Sequence, residues 1–209
     1  MKLAVFDFDS TLMDGETIDI LAAEIGLEKE VGTITKAAMD GEVGFYKSLV
    51  SRVELLEGVD GDRVNEICEG LPMMPGSKKT IEALRERGYK VVCFSGGFRN
   101  ATAPMCQRLG IDVEFANFLH TENGILTGKV GGEMMYDDAK GDMLVRIQKL
   151  LNVSVENTIV VGDGANDLSM FKHAGTRIAF CAKPILKKEA THCIEEKDLT
   201  QVIKIIDSI

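Results

Sequence analysis

Short runs of almost continuous apolar residues recur along the chain and alternate with segments that have helical spacing. The apolar runs cover residues 2–8, 90–94, 157–161 and 177–180, and the helical segments cover residues 77–87, 99–109, 141–151 and 168–174. Strands that are apolar at nearly every position are buried on both faces, which is typical of a parallel sheet covered by helices on both sides. The alternation therefore predicts an α/β fold with a doubly wound, Rossmann-like parallel sheet as its core.

A long helical stretch interrupts this alternation directly after the first strand. Residues 16–71 show only helical patterns, such as Ile18 and Leu21 on one helix face. Pro72 and Pro75 then mark the return to the alternating pattern. We therefore expect an α/β core domain formed by residues 1–14 and 73–209, and a small helical cap domain, residues 15–72, inserted after the first strand.

A second irregularity lies between residues 113 and 130. Two β-like runs flank the dipeptide Asn123-Gly124 there. This dipeptide favours the type I′ turn, which needs positive φ at both central positions. We therefore expect a β-hairpin within the core domain.

The composition argues against several classes of protein. The formal net charge is −9, whereas a general nucleic-acid-binding protein needs a basic surface that replaces counterions. No apolar stretch approaches the roughly 20 residues of a membrane-spanning helix. The cysteines are five in number and form no Cys-x-x-Cys pair, which is typical of reduced thiols in the cytosol. We therefore expect a cytoplasmic protein whose partners include neither nucleic acid nor membrane.

The first apolar run ends in two aspartates, Asp7 and Asp9. Residues two apart on a strand point to the same side, so these carboxylates are expected to lie close together. Like charges at the end of a buried strand repel each other unless a cation lies between them or one of them is protonated. A solvated strand end is the alternative interpretation of this motif alone.

Two further strand ends carry residues of the same character. Asp163 and Asp167 follow the run at 157–161, and Ser95 follows the run at 90–94 within Ser95-Gly96-Gly97. The carboxyl ends of parallel strands meet at one edge of a sheet, where ligands bind. Carboxylates with few nitrogen or sulfur ligands suit a hard cation such as Mg²⁺. A hydroxyl group and free backbone N–H groups suit a phosphate oxygen.

The order of these segments resembles the haloacid dehalogenase-like (HAD) phosphatase superfamily. Its four motifs are matched by Asp7-x-Asp9-x-Thr11, by Ser95, by Lys140 in Ala139-Lys140-Gly141-Asp142, and by Gly162-Asp163-Gly164-x-x-Asp167. One Asp-x-Asp motif is weak evidence, but four motifs in this order on the expected elements are specific. The resemblance implies a HAD-like core in which the helical stretch is the family's cap.

Within that superfamily the chain resembles the phosphoserine phosphatase family over nearly its whole length. The segments that carry this resemblance begin at Asp7, Glu16, Ser51, Phe94, Gly162 and Ala179. Serine at position 10, where many HAD proteins have glycine, is usual in this family. The resemblance implies hydrolysis of O-phospho-L-serine to L-serine and phosphate, the last step of serine biosynthesis, by a monomer or homodimer.

The resemblance also implies roles for the acidic residues. Asp7 is implied as the nucleophile, which becomes an aspartyl phosphate. Asp9 is implied as the acid and base that protonates the leaving serine oxygen and then activates water. The implied ligands of Mg²⁺ are Asp7, the backbone carbonyl of Asp9, and Asp163. Asp167 is implied to orient Lys140 and a metal-bound water.

The remaining site residues are implied to bind the substrate. Those assigned to the phosphoryl group are Ser95, Gly96, Lys140 and Asn166. Glu16 and Arg52 are implied to bind the ammonium and carboxylate groups of phosphoserine, because their charges are opposite to those groups. Met39 and Phe45 are implied as apolar cap residues that exclude water from the closed site.

Three other functions remain open at this point. The same chemistry applies to another small phosphomonoester. A signalling receiver also stores phosphate on an aspartate, but the cap-sized insertion and Asp9 count against it, because a receiver should not accelerate the loss of its phosphate. A binding module without catalysis would have no chemical need for Asp7, Asp9, Lys140 and Asp163 together.

Overall fold

A computed structural model of the protein describes the backbone of residues 1–39 and 43–209 and the side chains of residues 1–35 and 43–209. Within that part of the chain, seven strands form one sheet: β1 (Lys2–Asp7), β2 (Tyr89–Phe98), β3 (Val113–Glu122), β4 (Ile125–Gly131), β5 (Thr158–Gly162), β6 (Thr176–Phe180) and β7 (His192–Ile194). All neighbouring strands are parallel except β3 and β4. The predicted α/β fold is confirmed.

The order of the strands determines where a ligand can bind. The sheet runs β4-β3-β2-β1-β5-β6-β7. The chain therefore moves outward from β1 to β4 and then crosses to the other side of β1 to begin β5. At such a change of direction, the crevice at the carboxyl ends of the strands is the usual ligand site of an open α/β sheet.

Helices cover both faces of the sheet and fill the stretch that follows β1. The described helices are α1 (Thr17–Glu24), α2 (Glu28–Met39), α3 (Phe45–Glu54), α4 (Gly61–Glu69), α5 (Ser77–Glu86), α6 (Arg99–Leu109), α7 (Ala139–Leu151), α8 (Leu168–Phe171), α9 (Pro184–Lys187) and α10 (Gln201–Ile206). The predicted all-helical stretch corresponds to α1–α4. No described helix has both the length and the apolar character needed to cross a membrane.

Side chains of β1 alternate between two hydrophobic clusters. Ala4 and Phe6 pack in the cluster on one face, and Leu3 and Val5 pack in the cluster on the other. All four side chains are fully buried, which explains why residues 3–6 are all apolar. Asp7 is next in the alternation after Val5, so it lies on the face that α7 covers.

The helical stretch leaves and re-enters the core at one place. Met13 and Met73 form an antiparallel bridge. Next to it, the N–H of Asp14 donates to the carbonyl of Pro72 at 3.0 Å, and the N–H of Met74 donates to the carbonyl of Leu12 at 2.9 Å. The two crossing segments therefore hold each other in register.

The helical stretch also contacts the core through the β3–β4 hairpin. Asn123 and Gly124 have φ of 51° and 82°, the positive values that a type I′ turn needs. The N–H of Gly61 donates to the carbonyl of Gly124 at 2.8 Å, and Val59 and Leu126 are also joined at 2.8 Å. A Cβ on Gly61 would lie 2.8 Å from that carbonyl oxygen, so the close approach requires glycine.

Several elements differ from the sequence prediction, including the unpredicted short helices α9 and α10. β2 continues to Phe98 instead of ending at residue 94, because the Gly-Gly pair stays extended within a register shift against β3. α8 ends at Phe171, earlier than the predicted helix end at residue 174. β7 was not predicted, since a strand of three residues is too short to show a pattern.

Candidate active site

The carboxyl ends of three strands bring the predicted residues together. Asp7 is the last residue of β1 and pairs with Phe94 of β2, the residue before Ser95. Asp163 follows the last residue of β5, which also pairs with β1. This edge of the sheet opens into a cavity of about 700 Å³. Its walls include residues from the sheet edge and from α1 and α3, so the helical stretch covers the strand ends.

Seven of the predicted site residues line the cavity together with Asp7: Asp9, Glu16, Phe45, Arg52, Gly96, Asp163 and Asn166. Ser95, Lys140 and Asp167 lie immediately behind this lining and are almost completely buried. Met39, the remaining predicted residue, is the last residue of α2. Its side chain lies outside the described part of the structure.

Three carboxylates and one ammonium group form the centre of the site. The carboxylate oxygens of Asp7, Asp163 and Asp167 lie within 4.8 Å of one another. Lys140 Nζ is 2.5 Å from Asp7 Oδ1 and 2.6 Å from Asp167 Oδ1. When all four groups are ionised, two negative charges remain unbalanced, which is the charge that one divalent cation neutralises.

The pKa shifts of Asp7, Asp163 and Lys140 reflect this excess of negative charge. Burial raises the pKa of Asp7 well above its ordinary value, and the charge of Asp167 raises it further, while Lys140 acts in the opposite direction. Burial and Asp167 also raise the pKa of Asp163 to about 7. Burial lowers the pKa of Lys140, but the charges of Asp167 and Asp7 outweigh burial and hold this pKa above its ordinary value. Lys140 therefore stays charged, and an added cation would keep the carboxylates ionised.

Asp167 is fully occupied by protein partners. Its Oδ2 accepts hydrogen bonds from the N–H groups of Asp163 at 3.0 Å and Gly164 at 3.1 Å, while Oδ1 contacts Lys140. A Cβ on Gly162 would collide with the Asp167 carboxylate, so glycine makes room for it. Asp167 therefore orients Lys140 and the turn that carries Asp163.

The donors at the centre fit a hard divalent cation. The Asp7 and Asp163 carboxylates both face the cavity, and Mg²⁺ prefers such oxygen ligands. Among the residues that the structure describes, no side chain forms an ion pair with Asp163. Asp163 is therefore the carboxylate of the cluster that is most available to a metal ion.

Asp9 lines the same cavity and is held by Thr17 at the start of α1. Its Oδ1 accepts two hydrogen bonds from Thr17, one from the backbone N–H at 2.8 Å and one from the hydroxyl at 2.5 Å. A Cβ on Gly97 would lie 3.0 Å from Asp9 Oδ2, so this oxygen faces the Ser95–Gly97 loop. Burial raises the pKa of Asp9 even though the bonds from Thr17 lower it, which favours the protonated form that a general acid needs.

The apolar lid over Gly96 comes from the helical stretch. Phe45 is the first residue of α3, and a Cβ on Gly96 would lie only 2.7 Å from Phe45 Cζ. Only glycine therefore allows the ring to approach the backbone of the loop so closely. This contact covers the Ser95–Gly97 loop and limits its access to water.

An acidic and a basic side chain, Glu16 and Arg52, line the part of the cavity nearer to α1 and α3. Glu16 Oε1 accepts a hydrogen bond from the Ser10 hydroxyl at 2.8 Å. Burial and the charge of Asp9 raise the pKa of Glu16 to about 8. Arg52 Nε donates to the carbonyl of Ser48 at 3.2 Å. Burial lowers the pKa of Arg52, and the nearby charges of Asp19 and Glu16 raise it. Within the described part of the chain, no carboxylate forms an ion pair with Arg52, so its guanidinium group can bind a ligand carboxylate.

Sequence reasoning missed several residues of the site. Thr17, Asp19, Asp137 and Lys183 all line the cavity. Thr17 carried a usable signal, because it begins α1, where a free N–H group and a hydroxyl can meet a carboxylate. The backbone of Lys183 donates to the carbonyl of Asp163 at 2.8 Å, a long-range contact that no local pattern reveals.

Comparison with known proteins gives a consistent set of relatives. The family model of haloacid dehalogenase-like hydrolases matches residues 1–175. The chain is 57% identical over 203 residues to the phosphoserine phosphatase of Wolinella succinogenes, with 97% of this chain and 98% of the relative covered. It is 48% identical over 205 residues to the phosphoserine phosphatase of Methanocaldococcus jannaschii, with 98% and 97% covered.

Solved structures show the same similarity in three dimensions. One, described as a phospho-aspartyl intermediate analogue of phosphoserine phosphatase, is similar with a TM-score of 0.93 at 48% identity and covers 98% of both chains. A second, described as a substrate-bound phosphoserine phosphatase complex, has the same TM-score and identity and covers 98% of this chain and 97% of its own. The similarity therefore extends over the sheet, the helical stretch and the cavity between them.

Proposed function

The chain belongs to the phosphoserine phosphatase family of the haloacid dehalogenase-like hydrolases, and we propose that it hydrolyses O-phospho-L-serine to L-serine and phosphate through an aspartyl phosphate on Asp7. The observation that carries this proposal is the cavity itself. Asp7 lines the same space as Glu16 and Arg52, an acidic and a basic side chain of the kind that can bind the ammonium and carboxylate groups of an amino acid.

The first chemical step forms the aspartyl phosphate. A carboxylate oxygen of Asp7 attacks the phosphorus atom, and the bond between phosphorus and the serine oxygen breaks. Asp9, whose pKa is raised by burial, donates its proton to the departing serine oxygen. L-serine then leaves as a neutral alcohol.

The second step returns the enzyme to its starting state. Asp9, now ionised, takes a proton from water as the water oxygen attacks phosphorus, and the bond between phosphorus and the Asp7 oxygen breaks. Thr17 holds the Asp9 carboxylate through two hydrogen bonds, so the same group is in place for both proton transfers. Inorganic phosphate is the second product.

The family generally uses a metal ion, and we propose Mg²⁺, held by the carboxylates of Asp7 and Asp163 and by the backbone carbonyl of Asp9. When bound, the ion supplies positive charge that keeps Asp7 ionised and offsets the charge of the phosphoryl oxygens. Asp167 is proposed to orient Lys140 and the turn that carries Asp163 without direct contact with the ion, since both of its oxygens already contact protein donors.

The phosphoryl oxygens need further donors, because charge spreads over them in the transition state. Lys140 supplies an ammonium group beside Asp7. Ser95 supplies a hydroxyl group and follows Phe94, the residue of β2 that pairs with Asp7. Gly96 and Asn166 line the cavity, and they offer a backbone N–H and a side-chain amide. We assign all four groups to phosphoryl binding.

Residues that bind the amino-acid part of the substrate select phosphoserine among phosphomonoesters. Glu16 is assigned to the ammonium group and Arg52 to the carboxylate, which an arginine can bind with two parallel hydrogen bonds. Phe45 covers the loop at Gly96, and Met39 is assigned a similar apolar role. Residues 15–72 thus act as a cap that excludes water during catalysis.

The location and assembly of the protein follow from simpler observations. All five cysteines are unpaired, which is typical of the reducing cytoplasm. Every assigned site residue comes from one chain, so a monomer or a homodimer can carry out the reaction. We therefore propose a cytoplasmic enzyme of one of these two forms.

Phosphate release tests the proposed function directly. Purified protein is assayed with phosphoserine, phosphothreonine and a sugar phosphate, each with and without Mg²⁺. Arg52→Ala is compared with Arg63→Ala, which removes an exposed arginine of α4 that contacts Glu24 and Glu66. We expect Mg²⁺-dependent turnover that is greatest for phosphoserine and that only Arg52→Ala impairs.

Another small phosphomonoester is the alternative substrate. A preference for the sugar phosphate that Arg52→Ala leaves unchanged would reject the amino-acid substrate and keep the reaction type. Absence of phosphate release from every substrate would reject the phosphatase itself.

A further inference from the structure

Asn117 is a fully buried polar residue on β3 that lies outside the cavity lining. Its side-chain amide contacts two different segments of backbone. Nδ2 donates to the carbonyl of Gly96 at 3.0 Å, and Oδ1 accepts from the N–H of Met134 at 3.0 Å. Because Met134 offers only a donor and Gly96 only an acceptor, these partners fix the orientation of the amide.

The sheet geometry explains why this side chain is needed. Phe94 pairs with Phe115, but Phe98 pairs with Asn117, so the segment of β2 between the two pairs has two extra residues. The two extra residues belong to the Ser95–Gly97 loop, which departs from the regular ladder with β3. The Asn117 amide supplies the donor that the ladder does not offer to the carbonyl of the half-buried Gly96, and an unpaired backbone carbonyl shielded from water is costly.

The same peptide group also controls Ser95. The carbonyl of Gly96 and the N–H of Gly97 belong to one planar unit, and this N–H donates to Ser95 Oγ at 2.9 Å. The Ser95 hydroxyl therefore acts as an acceptor on one side. Among the described residues, none accepts a hydrogen bond from the Ser95 hydroxyl. The hydroxyl hydrogen is thus left to donate to a ligand.

We propose that Asn117 is a positioning residue that acts through this peptide group to aim the Ser95 hydroxyl at the phosphoryl group. Asn117 donates to the carbonyl of this peptide group. The N–H at the other end of the group donates to Ser95 Oγ, so Ser95 is held as the acceptor of that bond. The proposal rests on the proposed function, because it assumes that Ser95 donates to a phosphoryl oxygen.

The second hydrogen bond of Asn117 links this loop to the segment that precedes Lys140. Met134 lies six residues before Lys140, which is in the first turn of α7. Gly132 packs directly on Asn117, because a Cβ there would lie 2.7 Å from Asn117 Cα. One amide thus connects the segments that carry the two proposed phosphoryl donors, Ser95 and Lys140.

A double-mutant cycle tests the proposal. The variants are Asn117→Leu, Ser95→Ala and the double variant, assayed for kcat and KM with phosphoserine and for thermal unfolding. We expect Ser95→Ala to lower kcat about 100-fold, as loss of one transition-state donor does. Asn117→Leu should lower kcat about 10- to 100-fold through misplacement of that donor. The double variant should remain within about twofold of Ser95→Ala, because the two residues act on one hydrogen bond.

Gln148→Leu is the matched control. Gln148 is also a buried amide, and its Nε2 donates at 2.8 Å to both Thr158 Oγ1 and the carbonyl of His173. It lies about 12 Å along α7 from Lys140. Its loss should lower the unfolding temperature as Asn117→Leu does but leave kcat within about twofold of the wild type.

Several results would overturn the proposal. If the losses in Asn117→Leu and Ser95→Ala multiply in the double variant, Asn117 acts independently of Ser95. A normal kcat in Asn117→Leu would also refute it. If Asn117→Leu does not fold, Asn117→Asp carries the same test, since it keeps the shape and the acceptor for Met134 but loses the donor to Gly96. A normal kcat in Ser95→Ala would instead refute the assumed role of Ser95 in the proposed function.

Discussion

The unbalanced charge of the carboxylate cluster predicts an unusual response of stability to pH in the metal-free protein. The pKa of Asp163 is raised from 3.8 to about 7, first by burial and then by Asp167. Between about pH 4 and pH 7 the folded protein therefore keeps a proton that the unfolded chain has lost. By linkage, the free energy of unfolding falls as the pH rises through this range.

The size of this effect follows from the pKa. A tenfold change in proton affinity is worth about 1.4 kcal/mol, so a pKa of about 7 in place of 3.8 corresponds to about 4 kcal/mol. The neighbouring carboxylates share protons and water reaches the cavity, so we expect about half of this value, about 2 kcal/mol, from Asp163 itself. Asp163→Asn should therefore make the metal-free protein about 2 kcal/mol more stable at pH 8.

Urea unfolding at pH 5 and pH 8 in the presence of a chelator measures this effect. Asp112→Asn is the control, because Asp112 accepts hydrogen bonds from Val91 and Lys90 and its pKa is lowered despite partial burial. That variant should be less stable than the wild type at both pH values. The reasoning is refuted if Asp163→Asn also destabilises the metal-free protein at pH 8, or if the wild type becomes more stable between pH 5 and pH 8.

Further predictions concern activity and binding. Asp7→Asn should lower phosphate release by about 10⁴-fold or more while circular dichroism shows a folded protein, and activity within tenfold of the wild type would refute its role as nucleophile. Arg52→Ala should raise KM for phosphoserine about 100-fold through loss of an enclosed ion pair, but leave KM for phosphoethanolamine nearly unchanged; an equal rise for both would contradict the carboxylate assignment. Because the pKa of Glu16 is about 8, ammonium binding should release a proton below pH 8, measurable by calorimetry in two buffers, and Glu16→Gln should abolish this release. Chelation should stop turnover, and Mg²⁺ should restore it in the wild type but not in Asp163→Asn.

Local sequence patterns were sufficient to predict the longer parallel strands of the sheet and the convergence of Asp7 and Asp163 at one edge, whereas Lys140 was assigned only through the family resemblance. A nearly continuous apolar run that is followed by a charged residue identifies its own carboxyl end, as β1 does at Asp7 and β5 does before Asp163. Because parallel strands align these ends, the cluster could be predicted without knowledge of the strand order. The long helical stretch was recognisable for a similar reason, since no strand pattern interrupts it.

Residues whose role depends on distant partners could not be predicted in this way. Asn117 lies within a strand of ordinary composition, and its importance arises only because β2 contains two extra residues opposite it. The two hydrogen bonds that Thr17 donates to Asp9 at the start of α1 could not be predicted either, because they depend on how the helical stretch folds back. β2 appeared to end at residue 94, because a Gly-Gly pair has no side chains to show that it stays extended.

The central claim is that Asp7 accepts the phosphoryl group. Its most direct test is to mix the enzyme with phosphoserine and Mg²⁺, quench with acid within milliseconds, and locate phosphate on peptides by mass spectrometry. The account predicts a phosphoryl group on Asp7 that forms before phosphate release reaches its steady rate and is absent from Asp7→Asn. Steady turnover with no phosphorylated peptide, or with the phosphoryl group on Asp9 or another residue, would contradict it.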